Sequence, residues 1–191
     1  NISKLLSNRV RNIETNPFIV DLKNQNLFLH SKIKNKKILV IGGAGTIGSS
    51  YIKQILKYKP SKVTVVDVNE NGLTELTRDL RSSNLMDYNP EYITYPVNLL
   101  STTFDKIFNS DTWDVVSNFS AHKHVRSEKD KISVEALIKN NVFGAIKLLN
   151  LCEVNPPNYF FSVSTDKAAN PVNIMGASKS LMKNWYYQRR I

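Results

Sequence analysis

The chain has 191 residues, 41% hydrophobic and 22% charged, with a formal net charge of +10 and a single cysteine. That length and balance suit one domain with its own core. No apolar run reaches the ~20 residues that span a bilayer, the first residues lack the apolar segment of a signal peptide, and lone Cys152 excludes an internal disulfide and fits a reducing, cytoplasmic setting.

The positive charge raises nucleic acid as a partner, but the lysines are scattered and no nucleic-acid partner is expected. The densest cluster, Lys32 to Lys37, runs directly into an apolar stretch and is read as a solvated approach to it. Residue 1 is Asn, which suggests that the chain begins inside a longer protein. Residues 1–36 form a lead-in. Ile2, Leu5, Leu6, Val10 and Ile13 have helical spacing, Asn16-Pro17 ends that helix, and Phe18 to Val20 and Leu27 to Leu29 are short strands or apolar anchors.

Residues 37–191 form the second part. Ile38 to Ile41 is β-branched and apolar, a buried strand. Glycines follow at 42, 43, 45 and 48, and then Ile47, Tyr51, Ile52, Ile55 and Leu56 take helical spacing. A strand, a glycine-rich turn and a helix start form the opening unit of a dinucleotide-binding fold. A pyrophosphate must approach backbone N–H groups at a helix N-terminus, and a Cβ at the contact positions would block it. Gly42, Gly45, Thr46, Ile47 and Gly48 are therefore candidate cofactor contacts. The same pattern would also make a tight turn with no ligand.

Lys62 to Asp67 is the second strand. Asp67 stands 19 residues beyond Gly48, where a carboxylate accepts hydrogen bonds from the adenosine ribose hydroxyls and repels a 2′-phosphate, favouring NAD over NADP. Asn69 caps a helix over about 70–83. Glu91 to Val97 is the third strand, with Asn98 just past it as an adenine contact, and a short helix covers Thr102 to Phe108. Asp114 to Phe119 is the fourth strand and runs into Ser120, Ala121, His122, Lys123 and His124. Its small residues would let a cofactor pass close to backbone, and two isolated histidines argue against a metal site.

A long helix is predicted over Lys131 to Val154, with Asn140-Asn141 anomalous in its middle. The pair is a kink, a surface pair, or, for Asn141, a group that orders the loop beside the nicotinamide. Cys152 falls on the apolar pattern and is read as buried filler. Tyr159 to Val163 is the fifth strand. Five strands alternating with helices predict an α/β chain with a Rossmann-like, doubly wound parallel sheet. Ligands of such sheets bind at the carboxyl ends of the strands. There stand Ser164, Thr165, Asp166 and Lys167, followed by Asn173, Met175, Gly176 and a helix carrying Lys179.

The segments 42–49 (GGAGTIGS), 120–125 (SAHKHV), the Asn141 region and 164–179 (STDKAANPVNIMGASK) together resemble the polysaccharide-biosynthesis branch of the extended short-chain dehydrogenases/reductases, the UDP-N-acetylglucosamine 4,6-dehydratases. The resemblance covers about residues 18–190 and implies the following chemistry. Bound NAD takes hydride from C4 of a UDP-sugar, a proton leaves C5, water leaves from C6, and the hydride returns to C6. Asp166 would be the acid at the C6 hydroxyl and Lys167 the base at C5, with its pKa lowered for the task. Thr165 would hydrogen-bond the C4 oxygen, with Ser164 as a substitute. Lys179 would hold the nicotinamide ribose, Ser120, Ala121, Lys123 and Asn141 would adjoin the cofactor, and Lys123, His124 and Asn173 the substrate. A homo-oligomer is also expected.

Two departures stand out. Most short-chain dehydrogenases have Tyr-x-x-x-Lys, and here the tyrosine position is Met175, whose thioether cannot take the C4 hydroxyl proton. That methionine variant resembles the retaining more than the C5-inverting dehydratases. The family also continues into a sixth strand and a smaller substrate lobe that would follow Ile191. An epimerase of the same superfamily has no use for the Asp166-Lys167 pair. A non-catalytic dinucleotide-binding domain is favoured by Met175 and opposed by Asp166, Lys167 and Lys179.

Overall fold

The computed structural model describes residues 17–122 and 130–189. Five strands, β1 (Lys37–Ile41), β2 (Lys62–Asp67), β3 (Glu91–Pro96), β4 (Val115–Asn118) and β5 (Tyr159–Ser162), form one parallel sheet in the order β3-β2-β1-β4-β5. The order reverses between β1 and β4. The connections out of β1 and β4 therefore leave in opposite directions and open a crevice at the carboxyl end of the sheet.

Period-2 alternation along β1 feeds two cores. Ile38 and Val40 join Val63 and Val65 beneath α3 (Thr46–Leu56) and α4 (Glu70–Ser82), through Ile52, Leu56, Leu73 and Leu80. Leu39 and Ile41 face the other way, onto Phe104 and Phe108 of α5 (Thr102–Asn109) and Leu148 and Cys152 of α7 (Gly144–Val154). Helices on both faces explain why the central strands are apolar throughout rather than alternating. Cys152 is buried, as its spacing predicts, and burial pushes its thiol up to about 12.

The lead-in departs from expectation. Two helices, α1 (Pro17–Asn24) and α2 (Asn26–Ile33), stand where short strands or anchors were expected. Pro17 occupies the first helical position, where its missing N–H costs nothing, and the three-residue apolar runs are too short to pair as strands. Leu27 and Phe28 are exposed. Helix spacing over residues 2–13 lies outside the described residues. The lysine cluster is also more than a solvated approach. Lys36 pairs with Asp114, Lys37 with Asp111, and the Lys32 ammonium donates to the Tyr159 hydroxyl. All three lie at the N-terminal end of the sheet, away from the crevice.

The long helix is interrupted. α6 (Lys131–Ile138) passes through a π turn at Lys139–Phe143 into α7. After β5, a 3-10 turn (Asp166–Ala168) leads to α8 (Ile174–Arg189).

Candidate active site

Gly42 opens the turn after β1 with φ +76°, and a Cβ there would lie 2.5 Å from the Ser120 nitrogen. The glycine thus lets β1 and the end of β4 touch. At Gly48 a Cβ would meet the Gly42 carbonyl and lie 2.8 Å from the Gly43 Cα, so this glycine seats α3 against the turn. Gly45 is different. It caps α3 with no side-chain cap, and its added Cβ would meet only the Gly42 oxygen, at 3.5 Å. Gly45 leaves open space over the helix N-terminus, where the dipole and unsatisfied N–H groups favour an anion.

Two adjoining cavities occupy the crevice. One, about 270 Å³, is lined by Ala44, Asp67, Asn98, Ser120 and His122 among others; the second, about 260 Å³, by Thr46, Ile47, Gly48, Thr165, Lys167, Met175 and Lys179. Gly42, Gly45, Phe119 and Ala121 line both, so the two halves form one trench across the point where the strand order reverses. The trench suits an extended ligand with a diphosphate at its middle.

In the first half the Asp67 carboxylate accepts from the Ala44 N–H at 2.9 Å and the Asn69 N–H at 3.0 Å. It ties the glycine turn to β2 and still has lone pairs to accept ribose hydroxyls. Asn98 accepts from the Leu100 N–H at 2.8 Å, which fixes the turn after β3. The Ser120 hydroxyl and N–H both donate to Asn118 Oδ1, at 2.6 and 3.0 Å.

In the second half Thr165 donates its hydroxyl to Asp166 Oδ1 at 2.8 Å. That bond holds the exposed Asp166 carboxyl below its usual value, and Asp166 does not line the trench. Lys167 lines it and is exposed. Met175 and Lys179 form its buried wall, at 2% and 5% exposure. Burial brings the Lys179 ammonium down to about 8. Asn173 Oδ1 accepts from the Gly176 N–H at 2.8 Å, so it caps α8 rather than lining the trench. Lys123 and His124 lie outside the described residues.

Asn141 sits in the π turn, buried, and does not line the trench. Its Oδ1 accepts from the His122 N–H at 2.9 Å, and its Nδ2 donates to the His122 carbonyl at 3.0 Å and the Ser178 Oγ at 3.0 Å. Ser178 in turn donates to the Met175 carbonyl at 2.7 Å. The amide therefore orders residue 122 of the trench wall, in the half that also holds Asp67 and Asn98. Ser178, which bolts α8 to the π turn, and Phe119, shared by both cavities, escaped the sequence reading. Ser178 offered only a small residue before Lys179, and Phe119 only an aromatic at a strand end.

Residues 38–190 match the model of the family described as polysaccharide biosynthesis protein. The chain belongs to this family. It is 34% identical over 148 residues to the uncharacterized membrane protein MJ1061 of Methanocaldococcus jannaschii, covering 78% of this chain and 41% of that protein. It is 32% identical over 149 residues to an inverting UDP-N-acetylglucosamine 4,6-dehydratase of Campylobacter jejuni, covering 75% of this chain and 40% of the enzyme. Among solved structures, Pen from Bacillus thuringiensis superposes with a TM-score of 0.71 at 26% identity, over 82% of this chain and 47% of that one. The chain thus spans about two-fifths of the length of these two curated relatives. Among the described residues, no helix is long and apolar enough to cross a membrane.

Proposed function

We propose that this chain supplies the cofactor-binding half and the acid–base groups of a nucleotide-sugar 4,6-dehydratase that uses NAD. The observation that carries this reading is one trench wall shared by the glycine turn and by Thr165, Lys167, Met175 and Lys179. The dehydratase relative from Campylobacter jejuni supports a UDP-sugar as substrate.

The residues present fit the dinucleotide. Gly42, Gly45 and the first turn of α3 would hold its diphosphate, Asp67 and Asn98 its adenosine, and Lys179 its nicotinamide ribose. The bound cofactor supplies a hydride acceptor that later returns the hydride. Because Asp67 is a carboxylate, a 2′-phosphate is disfavoured and NAD preferred.

Thr165 is the residue on which the acid turns. With its hydroxyl on Asp166, Thr165 holds the carboxyl below its usual value and so ionised, without a proton to give. When Thr165 turns its hydroxyl to the sugar C4 oxygen, Asp166 loses that bond, and burial under the bound sugar raises its proton affinity so that it can carry the proton the C6 hydroxyl needs to leave as water. Lys167 removes the C5 proton, made acidic by the neighbouring ketone, and returns it after the hydride reaches C6. An epimerase needs neither group.

The protein incubated with UDP-N-acetylglucosamine and NAD should yield a product lighter by one water, and Lys167→Ala should lower its rate by about 10²–10⁴-fold. Dinucleotide binding with no product from any UDP-sugar would favour instead a non-catalytic binding domain, the reading that Met175 supports.

A further inference from the structure

Oxidation of an alcohol carbon needs a group to receive the hydroxyl proton, and Met175 cannot receive it. We propose that Lys179 is itself that base; the proposal rests on the dehydratase reading above. Met175 and Lys179 are four residues apart on α8, hence on one helical face, and both are buried in the same trench wall. Among the described residues the polar contact of the Lys179 Nζ is the Met182 sulfur at 3.8 Å, a weak acceptor, and no carboxylate pairs with it. An ammonium there is poorly compensated, whereas a neutral amine is tolerated.

Among the described residues, the elements packed against α8 do not supply a countercharge. The π turn and α6 carry Lys139 and Glu135, paired with each other, and Lys131. α7 carries Lys147, paired with Asp105, and Glu153, paired with Arg189. The 3-10 turn carries Asp166, engaged by Thr165, and Lys167, a second basic side chain. A tyrosine at position 175 would offer an oxygen to take the proton, and as tyrosinate would hold the lysine charged. Methionine does neither. It thereby converts the lysine from a fixed cation into a proton acceptor, in line with an ammonium already brought down to about 8.

The step balances. The C4 hydroxyl O–H bond breaks and its proton passes to the Lys179 amine. The freed pair forms the carbonyl, and the C4–H pair leaves as hydride to the oxidised dinucleotide. Later Asp166 gives a proton to the departing C6 hydroxyl. At the end of the cycle the Lys179 ammonium gives its proton to solvent and the Asp166 carboxylate takes one up, which restores the amine and the acid.

The test is a stopped-flow measurement of dinucleotide reduction on mixing the NAD-loaded protein with UDP-N-acetylglucosamine, in wild type and Lys179→Arg. Arginine keeps the charge and donors toward a ribose but cannot act as a base. Reduction should slow by about 10²–10⁴-fold, while dinucleotide affinity measured by calorimetry changes far less. In protein labelled with 13C-lysine, the Lys179 resonance should titrate near 8 in wild type and move upward in Met175→Tyr, a readout that needs no turnover. Equal reduction rates in Lys179→Arg, or a Lys179 that stays charged well above 8, would overturn the proposal alone. Wild type that binds NAD but reduces it with no nucleotide sugar would remove the dehydratase reading, and this role with it.

Discussion

Three glycines in one turn do three different things, and alanine separates them. At Gly45 the backbone angles (φ −72°, ψ 162°) suit any residue, and the added methyl meets nothing closer than 3.5 Å. Gly45→Ala should therefore fold, with a stability change of no more than about 1 kcal/mol. It should bind NAD at least ~10-fold more weakly, because the methyl fills the approach to the α3 N-terminus. At Gly48 the methyl overlaps backbone of the turn, and Gly48→Ala should cost about 1–3 kcal/mol in urea unfolding before any ligand is considered. Equal losses of stability in the two variants would show that Gly45 is a packing residue too. At this scale the sequence was informative where chemistry demands a residue type. The glycine spacing, Asp67, Lys167, Met175 and Lys179 all reach the trench. It was uninformative where a polar side chain spends its atoms on its own backbone. Asn173 looked like a ligand to the sugar and caps α8 instead, because an Asn before a helix is equally suited to both tasks.

The π turn is the element that the sequence marked without explaining. Asn140-Asn141 broke the helical pattern, and the structure gives the reason: the wide turn at Lys139–Phe143 brings the Asn141 amide to the His122 backbone and to Ser178 at once. These partners are 19 and 37 residues away in the chain, so periodicity within the helix carries no trace of them. Asn141→Ala leaves the His122 N–H and carbonyl and the Ser178 hydroxyl each short of a partner, all three held by hydrogen bonds of 3.0 Å or less to a buried amide. The cost should be about 2 kcal/mol, a fall in Tm of about 4–8 °C for a domain of this size. Amide exchange should quicken at His122 and at the start of α8, and leave the β1–β2 ladder unchanged. A uniform rise across the sheet would mean that Asn141 supports the whole core rather than one wall of the trench. The lead-in failed for the opposite reason. Phe18 to Val20 and Leu27 to Leu29 are too short for either period to be read, and helical context decided them.

Across the whole molecule the two ends of the sheet are divided between chemistry and cohesion. The carboxyl ends hold the trench; the N-terminal ends hold a lattice of lysines and aspartates. Asp111 accepts from Lys37 at 2.7 Å and pairs with Lys62 at 3.1 Å, and Lys62 also reaches Glu91. Asp114 takes Lys36 and the Lys37 N–H, both at 3.0 Å. Burial by itself would raise both carboxyls, yet these donors outweigh it and hold each below 3.8. A folded-state value below the unfolded one means that the unfolded chain binds protons more readily. The stabilisation is complete above the ordinary value of 3.8 and is lost as the pH falls through the depressed one. Asp111→Asn should lower unfolding free energy near neutral pH by about 1–2 kcal/mol. The gap from wild type should close only below 3.8, where the native carboxyl also takes up its proton. Urea midpoints against pH for the two proteins test this; a gap that persists unchanged into acid would trace the loss to packing rather than charge. Because Asp111 lies at the other end of the sheet from Asp67, Gly45 and Lys179, NAD affinity at neutral pH should be the same in both proteins, and a loss of affinity would show that the lysine lattice also sets the geometry of the trench.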